Sequence, residues 1–119
     1  MTTGGQFHGV IKNLNDPTRS LAQAAPDTWA GFADLHRAAA AEGARTAKVK
    51  ERMAMSIATV KWCDGCISHH AKAAARRGAT AQEVAQALGV ALLMDGGTAS
   101  VYGSRARAAY HEFADPNPP

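Results

Sequence analysis

Aromatic side chains and cysteines are scarce in this chain of 119 residues, which has seven of the former and two of the latter. Two cysteines are too few for the disulfide framework of a small secreted domain. No apolar run is long enough to cross a bilayer, and the first ten residues lack the basic-then-apolar pattern of a signal peptide. We therefore expect a cytoplasmic protein with no membrane contact, whose lone cysteine pair serves redox chemistry.

Several other features that would indicate a partner or cofactor are also missing. The 13 Lys and Arg residues exceed the 10 Asp and Glu residues only slightly. The arginines at positions 76, 77, 105 and 107 are scattered and have no interleaved aromatic residues, so nucleic-acid binding is not indicated. The sequence contains no motif for flavin, haem or nicotinamide. We expect no cofactor, so that electrons for any redox reaction must come from a partner.

Alanine is abundant instead, with 27 residues in the chain. It is the best helix former, but each alanine buries little apolar area. A single domain of this length with such small side chains gains little from its own core. The composition therefore predicts an all-α, single-domain protein that is stabilised by association into an oligomer.

Local signals predict about six helices and no strand. Asp16 followed by Pro17 is typical of a helix N-cap and first turn, so residues 1–15 are expected to form a flexible arm. The folded domain is expected over residues 16–114, with a disordered tail at 115–119. The predicted helices cover residues 16 to about 25, 26–43, 47–60, 63–78, 80–96 and 98–113.

A short segment of the chain combines two thiols with a candidate base. Cys63 and Cys66 are separated by two residues, and His70 follows Cys66 by four, which places them on one helix face. Unsatisfied N–H groups at the helix start favour a thiolate, which selects Cys63 as the more N-terminal and exposed cysteine. The position of His70 as a base favours Cys66 instead. Glu51 on the preceding helix is positioned to hydrogen-bond His70 and fix its tautomer.

Other interpretations of this cluster remain open. The cysteines could be ordinary buried residues, although their spacing at a helix start makes this a poor account. A zinc site would use both cysteines and either His69 or His70. A structural zinc site needs a fourth ligand, and no second Cys-x-x-Cys or His-x-x-x-His pair follows in the sequence. His111 could contribute only by accident of folding.

The spacing of Glu51, Cys63, Cys66 and His70 resembles the signature of the alkyl hydroperoxidase D-like proteins of the carboxymuconolactone decarboxylase superfamily. The run that follows His70, Ala-Lys-Ala-Ala-Ala-Arg-Arg-Gly-Ala-Thr-Ala-Gln-Glu-Val, is similar to the family's continuation. The resemblance covers roughly residues 29–113. It implies an all-helical bundle that assembles as homotrimers or homohexamers and reduces organic or hydrogen peroxides.

Carried over by position, the resemblance implies a role for each residue of the signature. Cys66 becomes the peroxidatic cysteine and Cys63 the resolving one, with His70 and Glu51 as a proton relay. The Cys66 thiolate would reduce the peroxide and become a sulfenic acid, which Cys63 would convert to a disulfide. An external dithiol, of the thioredoxin or dihydrolipoamide type, would then reduce the disulfide.

The sequence departs from this pattern at Gly65. The best-known peroxidases of the group carry a histidine there, so the relay in this chain is shorter. The cysteine pair argues against lactone decarboxylation, because the decarboxylases of the superfamily generally lack it. The alternative function is a non-catalytic oligomeric redox sensor, or a thiol-disulfide oxidoreductase, that uses the same cysteines.

Overall fold

The structure is a computed structural model that describes residues 5–115. Within this range the chain forms six α-helices and no strand, so the predicted all-helical fold is confirmed. The helices are α1 (Gln6–Ala24), α2 (Pro26–Ala40), α3 (Ala47–Val60), α4 (Asp64–Arg76), α5 (Ala81–Asp95) and α6 (Gly97–Ala114). The ends of the expected arm and tail, residues 1–4 and 116–119, lie outside the described residues.

The first helix begins at Gln6, so the flexible arm expected over residues 1–15 is wrong from that residue onward. The Glu112 carboxylate of α6 accepts hydrogen bonds from the backbone N–H groups of Phe7 (3.2 Å) and His8 (2.6 Å). Phe7 is also buried in the core. A Cβ at Gly5 would collide with the Glu112 carboxylate. The cap of α1 is therefore supplied by a residue at the far end of the chain.

Pro17 lies inside α1 and does not mark its start. The Asp16 carboxylate accepts a hydrogen bond from Arg19 and does not cap a helix. Proline removes one backbone donor, which would have bonded the carbonyl of Asn13. Both Asn13 and Pro17 are exposed, so water can hydrate that carbonyl and the helix continues. The folded domain thus includes residues 6–15 as well.

The remaining helix starts follow the local signals of the sequence. The Thr46 side chain accepts a hydrogen bond from the Val49 N–H at the start of α3. Thr80 and Glu83 form the expected capping box of α5, with each side chain bonded to the other residue's backbone N–H (3.1 and 2.9 Å). Local capping therefore sets these boundaries before any tertiary contact does.

Helix α4 lies at the centre of the fold and packs against α1, α3 and α6. Its inner face is fully buried and contains Ile67 and several alanines, which allow the neighbouring helices to approach closely. Helix α5 packs against α3 and α6 and buries Val84 and Leu88. Leu92 on the same helix is exposed. No described helix is both long and apolar enough to cross a lipid bilayer.

Much apolar surface remains uncovered in the single chain. The stripe of α3 that contains Met53 and Ile57 faces away from the core, while Met55 and Ala58 on another face of the helix are buried. Helix α2, predicted over residues 26–43, ends at Ala40 and buries no residue. Large exposed apolar patches mark sites of association.

Candidate active site

The cysteine pair lies where α3 ends and α4 begins. The backbone N–H of Trp62 donates to the Thr59 carbonyl (3.3 Å), and that of Cys63 donates to the Ala58 carbonyl (3.2 Å). Together these bonds form a Schellman motif, whose left-handed residue is usually glycine. Here it is Trp62, with φ of 56°. This tight turn brings Cys63 to the N-cap of α4.

Cys63 and Cys66 form a disulfide with their Cα atoms 5.2 Å apart. The Cys63 sulfur also accepts a hydrogen bond from the backbone N–H of Cys66 (3.2 Å), an interaction that would stabilise a Cys63 thiolate once the disulfide is reduced. The expectation that Cys63 is the more exposed cysteine is wrong, because Cys66 is exposed and Cys63 is half-buried. Capping requires the Cys63 side chain to turn back over the helix end.

Glu51 and His70 form the hydrogen bond that the sequence analysis predicted. Oε1 of Glu51 on α3 lies 2.7 Å from Nδ1 of His70 on α4. The Glu51 side chain is 5% exposed and that of His70 is 26% exposed. A buried carboxylate requires such a partner. With Nδ1 engaged by the carboxylate, Nε2 is the nitrogen left to exchange a proton.

His36 of α2 is a further neighbour of this pair. Its ring stacks on that of His70, with the ring centres 6.1 Å apart and the planes inclined by 20°. Both histidines line a cavity of about 140 Å³ together with Lys50, Glu51 and three alanines. The cavity is formed by α2, α3 and α4, and its small volume suits water or a short alkyl group.

The His69 side chain lies apart from this pair. Its ring is exposed and lines a cavity of about 430 Å³ with Lys72, Arg76 and Arg77. Desolvation and the neighbouring charges of His70 and Lys72 lower the pKa of His69. Within residues 5–115, no group of three or more His, Cys, Asp or Glu side chains is arranged to hold a metal ion.

Gly65, where the sequence departs from the family pattern, lies close to Leu14 of α1. A Cβ at this position would lie 2.9 Å from Cδ1 of Leu14 on α1. That separation is shorter than a normal carbon–carbon contact of about 3.5 Å or more. Helix α1, which local sequence signals did not predict over this region, therefore covers the turn between the cysteines. Leu14 occupies the space into which a side chain at position 65 would extend.

Asp64, the other residue between the cysteines, is paired with Arg105 of α6. The guanidinium donates two hydrogen bonds to the carboxylate, from Nε to Oδ1 (3.0 Å) and from a terminal nitrogen to Oδ2 (2.8 Å). In the sequence, Arg105 is one of several scattered arginines. The pairing depends on how α6 packs on α4, which no local pattern indicates.

Residues 26–109 match the sequence profile of the carboxymuconolactone decarboxylase family. The chain belongs to this family. The matched range contains Glu51, both cysteines and His70, whereas α1 precedes it. The family assignment that the cysteine spacing predicted is therefore confirmed.

Individual relatives support the family assignment over most of the chain. A crystal structure of an apo carboxymuconolactone decarboxylase family protein from Legionella pneumophila has a TM-score of 0.91 and 32% identity, covering 94% of this chain and all of that one. An uncharacterized protein of Cupriavidus necator is 33% identical over 100 residues, which are 84% of this chain and 88% of the relative. Uncharacterized protein 4 in the cox locus of Paracoccus denitrificans is 35% identical over 82 residues, which are 69% and 74% of the two chains.

Proposed function

We propose that this protein is a thiol-dependent alkyl hydroperoxide reductase. The observation that carries the proposal is the hydrogen bond between buried Glu51 and His70, which lies one helical turn after exposed Cys66. A base held in one tautomer beside a redox-active thiol is the arrangement that nucleophilic attack requires. Cys66, Cys63, His70 and Glu51 are the proposed catalytic residues.

The oxidative half of the reaction uses Cys66 as the nucleophile. Nε2 of His70 takes the thiol proton, and the Cys66 thiolate attacks one peroxide oxygen. The O–O bond breaks, the alcohol leaves with the proton returned by His70, and Cys66 becomes a sulfenic acid. Glu51 stabilises the positive charge that His70 carries between these two steps. Cys63 then loses its thiol proton and attacks the Cys66 sulfur, and the hydroxyl group takes up that proton and leaves as water.

The reductive half uses the difference in exposure between the two sulfurs. A thiolate of an external dithiol attacks Cys66, the exposed end of the disulfide, and Cys63 is the leaving group. The backbone N–H of Cys66 donates to the Cys63 sulfur and stabilises the thiolate that leaves. The second donor thiol then displaces Cys66 and closes the donor's own disulfide.

The donor is proposed to be a dithiol of the thioredoxin or dihydrolipoamide type. Two electrons are needed for each peroxide, and a dithiol supplies both in one encounter. We assign this chemistry to the cytoplasm, where such donors are kept reduced. No cofactor takes part in the proposed cycle.

The protein is further proposed to act as a homotrimer or homohexamer, as the family resemblance implies. An apolar groove of about 670 Å³ between α3 and α5 is lined by Met53, Ile57 and Val90, among others. Phe32 and Leu35 on α2 are exposed as well. Another subunit would cover these side chains and add apolar burial that the alanine-rich core lacks.

Steady-state consumption of an alkyl hydroperoxide, with dihydrolipoamide or a thioredoxin system as donor, tests the proposed function. We expect many turnovers per subunit in the wild type and none in Cys66→Ser. The alternative, a redox sensor built on the same cysteine pair, predicts one equivalent of oxidation and then no further consumption. Oxidation that stops after one equivalent with both donors would reject the peroxidase and favour the sensor.

A further inference from the structure

Asp64 and Arg105 form an ion pair of defined geometry beside the redox cysteines. Asp64 occupies the first helical position of α4, between Cys63 and Cys66 in the chain. Its carboxylate accepts two hydrogen bonds from Arg105, at 3.0 and 2.8 Å. The Asp64 side chain is 41% exposed and the Arg105 side chain is 31% exposed. Paired bonds of this kind fix both distance and direction.

Aromatic rings hold the Arg105 side chain in place. The centre of its guanidinium group lies 5.5 Å from the centre of the Phe7 ring and 6.0 Å from that of the Tyr102 ring. Phe7 belongs to α1 and is buried in the core. Cations at these distances over an aromatic face are attracted to it. Arg105 is thus fixed by α1 and α6 before it reaches Asp64 on α4.

The pair has a direct electrostatic consequence for the cysteines. A carboxylate beside a thiol disfavours the thiolate, because the two negative charges repel each other. The start of a helix has the opposite effect, since its free N–H groups favour an anion. Left alone, the Asp64 charge would oppose the effect of the helix on Cys63. A guanidinium bonded to both carboxylate oxygens largely cancels that charge.

We propose that Arg105 is a positioning residue that neutralises Asp64 and thereby sets the reduction potential of the Cys63–Cys66 disulfide. The proposal rests on the redox use of this pair and concerns how easily the disulfide is reduced. Loss of the Arg105 charge destabilises the thiolates and hence the reduced protein. The disulfide then becomes harder to reduce, and its potential becomes more negative.

Equilibration of the full-length protein with glutathione buffers tests the proposal. Two glutathione molecules reduce one protein disulfide and leave as oxidised glutathione, and thiol alkylation measures the fraction reduced. We expect Arg105→Met to shift the equilibrium toward the disulfide by about three- to tenfold, where tenfold corresponds to about 30 mV. Arg105→Lys, which keeps the charge, should shift it less.

The double variant decides whether the effect acts through Asp64. Asp64→Asn alone should shift the equilibrium toward the dithiol, because it removes the carboxylate and leaves the guanidinium. Asp64→Asn combined with Arg105→Met should return close to the wild-type value. If the double variant has the same reduced fraction as Arg105→Met alone, the proposal is overturned, because the effect of Arg105 would then not depend on the Asp64 carboxylate.

A second measurement separates charge from folding. Thermal unfolding of each variant, in both redox states, shows whether Arg105→Met acts only by loosening the packing of α1 and α6. If it does, the shift in reduction potential should also be seen when Arg105→Met is combined with Asp64→Asn. If Arg105→Met does not fold, Asp64→Asn alone must still shift the equilibrium, and an unchanged value rejects the proposal. These experiments contain no peroxide, so a failure of the proposed peroxidase activity leaves their outcome interpretable.

Discussion

Leu14 of α1 lies directly over Gly65, so that a Cβ at position 65 would come within 2.9 Å of its Cδ1 atom. A larger residue in the turn between the cysteines therefore requires the Leu14 side chain, which is 37% exposed, to move aside. Leu14 belongs to a helix that precedes the range matched by the family profile. The contact adds a steric cost to any side chain at position 65, including the histidine that is absent from the proposed relay of Glu51 and His70.

Restoring that histidine should be most effective when Leu14 is shortened as well. Gly65→His alone is expected to push the Leu14 side chain aside and to gain less in the rate of peroxide reduction. Leu14→Ala with Gly65→His makes room for the ring, and a second positioned acid–base group should raise the rate by about tenfold or more. Peroxide consumption by both variants and by the Leu14→Ala control measures this. Equal rates in the two histidine variants would show that Leu14 does not restrict position 65.

Removal of either relay residue should slow catalysis without unfolding the protein. Glu51→Gln and His70→Ala are each expected to reduce the rate of peroxide consumption by about one to three orders of magnitude, the effect of a positioned acid–base group. Leu88→Ala, a buried truncation, should instead cost about 2–5 kcal/mol of stability and leave the relay intact. Rate and thermal unfolding are measured for all three variants. Unchanged rates in both relay variants would remove the relay from the mechanism.

Stability should fall at acidic pH as Glu112 is protonated. Burial opposes ionisation of Glu112, but hydrogen bonds from the His8 and Phe7 backbones and from the His8 ring outweigh it and lower the pKa of that carboxyl. The contribution of ionised Glu112 to the free energy of unfolding is therefore complete above the ordinary glutamate pKa of about 4.3. It is lost as the pH falls through the lower pKa that Glu112 has in the folded protein.

Glu112→Gln isolates this contribution. At pH 7 the variant should lose about 1 kcal/mol, typical for a helix cap, and the loss should shrink as the pH falls through the folded pKa of Glu112. Denaturant unfolding of both proteins from pH 7 to pH 3 measures the difference. The pKa of Glu83 is also lowered, but Glu83 is present in both proteins, so its effect cancels in the difference between their stabilities. A difference independent of pH would mean that Glu112 does not cap α1 as a carboxylate.

Association should depend on the apolar groove between α3 and α5. Ile57→Glu places a charge in that groove and should shift the protein toward monomers, whereas Lys12→Glu on the exposed face of α1 should not. Light scattering at low micromolar concentration reports the mass of each variant. A wild-type protein that is fully active as a 12.4 kDa monomer would contradict the proposed assembly.

Features specified by nearby residues were predictable from the sequence. The capping signals at Thr46 and at Thr80 with Glu83 located the starts of α3 and α5 because their partners lie three residues away. The bond between Glu51 and His70 followed from spacing along two successive helices. The start of α1 was not predictable in this way, because its cap is Glu112, which lies 105 residues from Phe7 in the chain.

Contacts between helices that are distant in the chain were the other part that the sequence did not reveal. His36 approaches His70 from α2, and Arg105 approaches Asp64 from α6. Neither residue has a neighbour in the chain that indicates its partner. The relative exposure of Cys63 and Cys66 was also reversed, since it depends on how the Cys63 side chain caps α4.

Trapping of the oxidised sulfur tests the central claim, that Cys66 attacks the peroxide and Cys63 resolves it. Cys63→Ser and Cys66→Ser are each reduced, treated with one equivalent of alkyl hydroperoxide in the presence of dimedone, and analysed by peptide mass spectrometry. The mechanism predicts a dimedone adduct on Cys66 in Cys63→Ser and no adduct in Cys66→Ser. An adduct on Cys63 in Cys66→Ser, with none on Cys66 in Cys63→Ser, would contradict it.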